Sequence, residues 1–355
     1  MTTAMVSCMP ESYLSLSPKD QKEILQSAAI QLGRKENVLE KDVWVCWVLE
    51  TMFSIPGAHP MAFKGGTSLS KVYEIIDRFS EDVDITLDFQ QFNDTDYGKY
   101  PEKFDPFTDG VSKTQISKYS DRLKSYVKSY AINVVVPHIQ SKLNELPTKE
   151  AHSITIDDSG EKIWLSYPSV TEQSDEYLKA NVLIELGGRN VIDPNETHSV
   201  TPYIASITKG VSYPTGKVVV LSPARTFWEK ATLIHVECNR SDFKQNAERL
   251  SRHWYDLVML SKHPSSQGAI ANKELLEDVV KLKKVFYNSG YSDYDACLTG
   301  SLKLVPDQAS LDQLATDYKT MVSSGMMYRD PLSFAELIAA IKNLEREINE
   351  WRDSK

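Results

Sequence analysis

The residues best suited to chemistry stand close together, in Lys64-Gly65-Gly66-Thr67-Ser68-Leu69-Ser70-Lys71 and in Ser80-Glu81-Asp82-Val83-Asp84-Ile85. Paired glycines at a strand-to-helix junction let backbone N–H groups approach phosphate oxygens, and a helix N-terminus adds positive potential there. Thr67 and Ser68 supply hydroxyl donors in the first turn. The Walker A spacing, two glycines with four residues between them followed by Lys and Ser or Thr, is missing, so this is a different kind of phosphate loop. Asp82 and Asp84 are two apart on an expected strand. Period two then sets both carboxylates on one face, while Val83 and Ile85 point into the core. Two carboxylates beside a phosphate cradle can hold Mg²⁺ against a nucleoside triphosphate. Each feature alone is common, as a turn or a solvated strand face. The glycine pair, one helix, then Asp-hydrophobic-Asp on the next strand is the combination that points to nucleotidyl transfer.

Positioning these groups requires strands on both sides of the glycines, and the pattern supplies them. Residues 60–63 read as a short strand, residues 69–79 as a helix and residues 83–89 as the next strand. Further strands are expected at 153–156 and 162–167, joined by the turn Asp157-Asp158-Ser159-Gly160, then at 180–186, 200–207 and 217–221. In front of the motifs, Ser17-Pro18-Lys19-Asp20 caps one helix, and residues 37–53 form a second with an apolar stripe and one polar flank. Both read as packing elements. Residues 90–110 read as a loop, and residues 120–146 as a long amphipathic helix kinked near Pro137. From Ser222 onward the pattern is helical, at 223–238, 245–261, 273–287, 311–322 and 333–351. The expected fold is α+β: N-terminal helices over 1–58, a core of mixed sheet with helices over 59–221, and an all-helical region over 222–355.

Composition sets the outer limits. A chain of 355 residues with 41% hydrophobic and 25% charged residues can bury about two domains' worth of core, so wholesale disorder is excluded. No stretch approaches the roughly 18 apolar residues of a membrane span, and the N-terminal segment lacks the basic start and apolar core of a secretory signal. Cys8, Cys46, Cys238 and Cys297 lie far apart without a Cys-x-x-Cys pair, which suggests neither a zinc site nor a disulfide framework and favours a reducing cytoplasm. A net charge of -9 argues against coating nucleic acid through bulk positive charge, and leaves room for a local basic groove.

The stretches FKGGTSLSK and SEDVDI resemble the polymerase-β-like nucleotidyltransferase superfamily, with its hydrophobic-Gly-Gly/Ser and Asp-hydrophobic-Asp signatures. RTFWEKATLIH at 225–235 and RHWYDLVML at 252–260 narrow the likeness to AbiEii/AbiGii-type toxins, the toxin half of type IV toxin–antitoxin and phage-abortive systems. That resemblance implies a polymerase-β-like core and a cytoplasmic enzyme that uses Mg²⁺, with Mn²⁺ as a substitute. The enzyme would transfer a nucleotide from an NTP to an acceptor and release pyrophosphate. In characterised relatives the acceptor is the 3′ end of tRNA, and its modification stops translation. The resemblance also implies a cognate antitoxin encoded separately, which need not touch the toxin. Carried over to this chain, Lys64, Gly65, Gly66, Thr67 and Ser68 would bind the nucleotide phosphates with Lys71 near them. Asp82 and Asp84 would ligate the metal ions, Lys230 would meet the triphosphate, and Asp256 would complete the site. Glu185, the sole charge within an apolar strand, is the candidate third carboxylate, or else an acid at a fraying strand end beside Arg189.

The helical motifs allow a physical reading as well. Lys230 can project from a helix whose other side, Phe227, Ala231 and Ile234, is core. Glu229 beside it is either solvated or orienting. Arg252 and Asp256 are four apart, which allows a surface ion pair worth little or a contact in which Arg252 orients Asp256. His235 and His253 read as structural. Residues 112–150 carry seven Lys/Arg against three acids, with Tyr119, Tyr126 and Tyr130 interleaved. This is a face for RNA or a solvated helix face. Two other functions fit the motifs: a nucleotidyltransferase acting on a protein or small molecule, and a nucleotide-binding regulator without catalysis.

Overall fold

Helix caps written into the sequence start the fold. In the computed structural model, which describes residues 10–92, 104–148, 152–171, 178–240, 249–266 and 268–353, β1 (Glu11–Ser12) leads into α1 (Pro18–Leu32). Ser17 Oγ accepts from the Asp20 N–H at 3.2 Å, and Pro18 fills the first turn. The next helix, α2 (Glu36–Phe53), is buried on nearly every side, and its three consecutive charges form no polar flank. Glu40 accepts from Ser169 Oγ and the Val170 N–H, both at 2.6 Å. Lys41 pairs with Glu81 at 2.5 Å, and Asp42 pairs with Lys71 at 2.6 Å while accepting the Tyr203 N–H at 2.6 Å. Each buried charge is tolerated because another group answers it.

β2 (Met61–Lys64), α3 (Gly65–Lys71) and β3 (Val83–Asp88) carry the two motifs. The helix expected over 69–79 instead starts at Gly65 and stops at Lys71. Beyond it Glu74 adopts φ 52°, and the apolar residues part company. Ile75 and Ile76 enter one core, whereas Phe79 packs with Val38, Leu178 and Met326. A continuous helix could not serve both.

α4 (Lys113–Tyr130) passes through a π-helical turn at Ala131–Val135 into α5 (Val136–Leu143), whose first turn holds Pro137. Proline lacks the N–H that an unbroken helix would need there, and the wide turn accommodates it. β4 (Ser153–Ile156) and β5 (Lys162–Ser166) form the expected hairpin. β6 (Asn181–Asn190) runs through Gly187-Gly188 instead of stopping there. A Cβ on Gly188 would lie 2.3 Å from Val127 Cγ2, so glycine lets α4 settle onto the sheet. β7 (Asn195–Val200), β8 (Val211–Ser212) and β9 (Gly216–Leu221) follow. The strand expected at 200–207 lies earlier because Pro202 has no donor for the ladder, and Tyr203–Ser206 forms a 3-10 turn.

Seven strands make one mixed sheet in the order β4-β5-β6-β3-β2-β9-β7, and β1 pairs with β8 separately. α2, α4 and α5 cover one face, over Val83, Ile85, Val182, Ile184, Val218 and Val220. α6 (Pro223–Cys238), α7 (Ser251–Lys262), α8 (Lys273–Phe286), α9 (Gln308–Ser323) and α10 (Phe334–Asp353) build a second core that takes in Leu69, Ile75 and Ile76. The fold is therefore α+β, with a mixed sheet and a helical C-terminal region. Parts of the expected 90–110 loop and of the 245–261 helix, together with Cys8 and Lys149, lie outside the described residues. Among the described residues no helix is long and apolar enough to cross a membrane.

Candidate active site

Strand register builds the site. Lys64 on β2 stands opposite Asp84 on β3, Asp84 beside Glu185 on β6, and Glu185 opposite Lys162 on β5. Residues in direct register share a face, so these four side chains form one row across the sheet, with Asp82 just ahead of β3, two residues before Asp84. Lys162 Nζ lies 3.0 Å from Glu185 Oε1. Burial pushes the Asp84 carboxyl up, Lys64 pulls part of that back, and Glu185 and Asp82 add to the rise, so that it reaches about 7. Asp82 is raised as well, by burial first and then by Glu81 and Glu185. The row thus holds more negative charge than its own cations neutralise.

The glycine turn abuts this row. Gly65 has φ +79°, and a Cβ there would stand 2.0 Å from Asp84 Oδ2. Only glycine brings the backbone so close to the carboxylate in that conformation. Behind Gly66 lies a cation: a Cβ on that residue would be 2.7 Å from Arg78 Nη2 and 2.8 Å from Ser80 Oγ.

Asp256 anchors that cation. It has no exposed surface, and Arg78 donates to it through Nε and Nη2, both at 2.8 Å. Lys230 Nζ completes the knot 2.9 Å from Asp256 Oδ2. Burial alone would raise the Asp256 carboxyl, but Arg78 and Lys230 hold it well below the usual carboxylate range. His253 packs nearby, and burial together with the Lys230 cation pushes its imidazole down to about 3, so it is neutral. The knot joins α6, α7 and the segment before β3 at the back of the glycine turn.

A second cluster lies on the Lys64 side. Glu229 on α6 accepts from Asn190 Nδ2 at 2.7 Å and faces Arg225 Nε at 3.5 Å and Lys64 Nζ at 3.7 Å. Burial would raise Glu229, but Lys64, Lys283 and Arg225 bring it down to about 2. Lys283 on α8 moves the other way, to about 8, because burial and the cations Lys64 and Arg225 outweigh the attraction of Glu229. Arg225 itself is 1% exposed and donates to Asp193 O at 2.9 Å and Asp278 Oδ2 at 2.7 Å.

A family model described as the nucleotidyl transferase AbiEii toxin of type IV toxin–antitoxin systems matches residues 47–340, a span that takes in the acid row, the glycine turn and both clusters. The chain belongs to the AbiEii nucleotidyltransferase toxin family. Among solved structures it is similar to MenT4, a nucleotidyltransferase toxin from Mycobacterium tuberculosis H37Rv, with 13% identity, a TM-score of 0.43, and coverage of 96% of this chain and 99% of that one. No curated protein sequence matches. As an AbiEii toxin, the chain is a nucleotidyltransferase and the toxin component of a type IV system.

Several residues of this AbiEii chain lie elsewhere than the sequence suggests. Lys71 is not at the acid row: its Nζ is buried against Asp42 and lies 3.7 Å from the centre of the Tyr203 ring, because α3 ends there and turns it toward α2. Thr67 and Ser68 are buried, and their hydroxyls serve the turn itself, donating to Ser80 Oγ at 3.0 Å and to Gly65 O at 2.9 Å. Tyr126 and Tyr130 belong to the core beneath α4 and cannot form an aromatic RNA face. Asp256 is answered from other elements, by Arg78 and Lys230. Sequence reasoning passed over Arg78, Arg225 and Lys283. For Arg78 the only signal was its place four residues before Asp82.

A divalent cation is the group this chemistry calls for. Among the described residues no three His, Cys, Asp or Glu side chains form a ready-made cage. Mg²⁺ does not need one, since it binds through one or two carboxylates and takes its remaining oxygens from water and substrate phosphates. Hard carboxylate oxygens with uncompensated negative charge fit that requirement.

Proposed function

We propose that the chain transfers a nucleotide from an NTP to the 3′ end of tRNA in a Mg²⁺-dependent reaction, and so blocks translation. Asp82 and Asp84 would hold the metal ions with Glu185 beside them. A bound divalent ion lowers the barrier by neutralising charge on the phosphates and activating the attacking oxygen. The acceptor hydroxyl oxygen bonds to the α-phosphorus, the bond to the β,γ-pyrophosphate breaks, and the hydroxyl proton is lost to solvent. Gly65 and Gly66 would bring backbone N–H groups to the phosphates, and Lys64 and Lys230 would supply positive charge to them, the electrostatic part that dominates phosphoryl chemistry. Asp256 acts at one remove, as a positioning residue that fixes Lys230 and Arg78. In this arrangement 59–221 carries the acids and 222–355 carries Lys230 and Asp256. The antitoxin is encoded separately and acts on this activity or its consequences.

The observation that carries the reading is the Lys64–Asp84–Glu185–Lys162 row with Gly65 against Asp84. Burial first, and then the neighbouring carboxylates Glu185 and Asp82, push Asp84 up to about 7, a perturbation of the kind that clusters at functional sites. The test is incubation of the protein with Mg²⁺, total bacterial RNA and each α-labelled NTP in turn, with Asp82→Ala as the blank. Label in a tRNA-sized band, lost in the variant, is the expected result. Label on protein or on a small molecule would replace the acceptor, and wild-type turnover by Asp82→Ala would remove the strand from the site.

A further inference from the structure

The open face of the sheet continues past the acid row toward a basic cavity. Arg189 lies four residues beyond Glu185 on β6, past the register shift between Gly187 and Asn190, which sets it at most roughly 13 Å along the strand. Its guanidinium carbon is 5.4 Å from the centre of the Tyr287 ring, and Lys283 Nζ is 4.7 Å from the same centre. Tyr287 is 41% exposed, an open aromatic ring flanked by two cations. From Arg189 a cavity of about 710 Å³ opens between α4 and the end of α8. Lys113, Lys124, Arg189 and Lys284 line it, and Asp121 is the single acid among its described lining residues. In a chain of net charge -9 this is a local reversal of sign. The cations that have partners there, Lys124 with Asp121 at 3.5 Å, Lys284 with Asp295 and Arg189 with Glu161 at 3.6 Å, are in exposed or half-buried pairs that a phosphate can displace.

We propose that this cavity, with Tyr287 between it and the acid row, receives the single-stranded end of the RNA acceptor. The inference rests on the reading of the acid row as the transfer site. The lysines and Arg189 meet the phosphates, Ser117, Ser120 and Asn288 offer hydrogen bonds, and a base stacks on Tyr287. The cavity mouth at Arg189 is separated from Asp84 and Glu185 by a distance that a few nucleotides of strand can span, so the terminal hydroxyl reaches the row while the preceding phosphates stay in the cavity. An acidic peptide would satisfy the cations and leave the exposed ring without a role.

The experiment measures binding of a fluorescent RNA hairpin with a short single-stranded 3′ tail to the full chain at several salt concentrations. It compares wild type, Lys113→Glu/Lys124→Glu and Tyr287→Ala. Both lysines are exposed on α4 and outside the acid row, so the double variant should keep its fold and its thermal stabilisation by Mg²⁺ and NTP. Its RNA affinity should fall at least about tenfold, and its slope of log affinity against log salt should flatten by about 1.4, the value for two lost single-strand phosphate contacts. Tyr287→Ala should lose about tenfold, the effect of one stacked base. Unchanged affinity and slope in the double variant would overturn the proposal, as would a blunt duplex or an oligoglutamate peptide that competes as well as the tailed hairpin. Label transfer to RNA with wild-type KM for RNA in the variants would sink the cavity and leave the transfer reading standing. Neither binding nor transfer to RNA by the wild type would sink both.

Discussion

Replacing Asp256 with Asn tests whether the knot behind the glycine turn is structural support or decoration. The substitution keeps the shape and removes the charge that three donors share, Arg78 Nε and Nη2 and Lys230 Nζ, all within 2.9 Å. Charge-assisted bonds contribute about 1.5–3 kcal/mol each, a gross sum that desolvation of the three buried ions cuts back. Breaking one partner of such a buried set costs about 3–5 kcal/mol, because the remaining charges stay buried without an answer. For a chain of this size that is a drop in Tm of about 4–7 °C. Two cations that now repel each other also stop holding Gly66 from behind, so turnover should fall on the order of a hundredfold in the fraction that stays folded. The pH dependence carries a sign. A carboxylate held below its unfolded value contributes stability that is present above about pH 4 and lost as pH falls further, so the gap between wild type and Asp256→Asn should be flat from pH 5 to 8 and close below about pH 4. Urea and thermal unfolding by circular dichroism, paired with label-transfer rates, read all three. A variant within about 1 kcal/mol of wild type, with wild-type turnover, would refute the reasoning.

Three further outcomes are expected. Gly65→Ala should abolish transfer, since its Cβ would collide with Asp84 Oδ2 at a backbone φ of +79°, while stability falls by only about 1–2 kcal/mol; kinetics and melting of the same preparation separate the two. Lys71→Met should cost about 3–5 kcal/mol through the unanswered Asp42 yet leave the KM for NTP of the folded enzyme unchanged, and a tenfold rise in that KM would return Lys71 to the phosphates. Asp84→Asn should inactivate the enzyme and, in EDTA, raise Tm at pH 8. A carboxyl raised in the folded state destabilises as pH climbs from its unfolded value toward about 7, so the gain should vanish near pH 4, and a constant gain across that range would contradict the crowding of the acid row.

The parts of this molecule legible in the sequence are those governed by local rules. Ser17 and Ser222 cap the helices they were expected to cap, and Asp82-Val83-Asp84 alternates as a strand must. Glu185 could be picked out because an acid in an apolar strand needs a reason, and register supplied the reason by seating it beside Asp84. The misses around the site depend on contacts far apart in sequence. Lys71 looked like a phosphate ligand until Asp42 on α2 claimed it, and α2 was expected to carry a polar flank, whereas its charges Glu40, Lys41 and Asp42 are answered by residues of other segments. Gly187-Gly188 read as a strand end, whereas α4 needs the missing side chain at Gly188 to reach the sheet. Arg78 gave no sign beyond its place four residues before Asp82, since its partner lies 178 residues later.

That separation has a meaning during synthesis. At a ribosomal pace of about 5–20 residues per second, the carboxylate that pins Arg78 and Lys230 emerges on the order of ten to thirty seconds after the glycine turn and acids are made. Through that interval the nascent chain displays the reactive strand without the brace that aligns it. On the proposed function, the chain becomes competent only once most of its length has left the ribosome, and a product cut short before Asp256 would lack the carboxylate that pins Arg78 and Lys230.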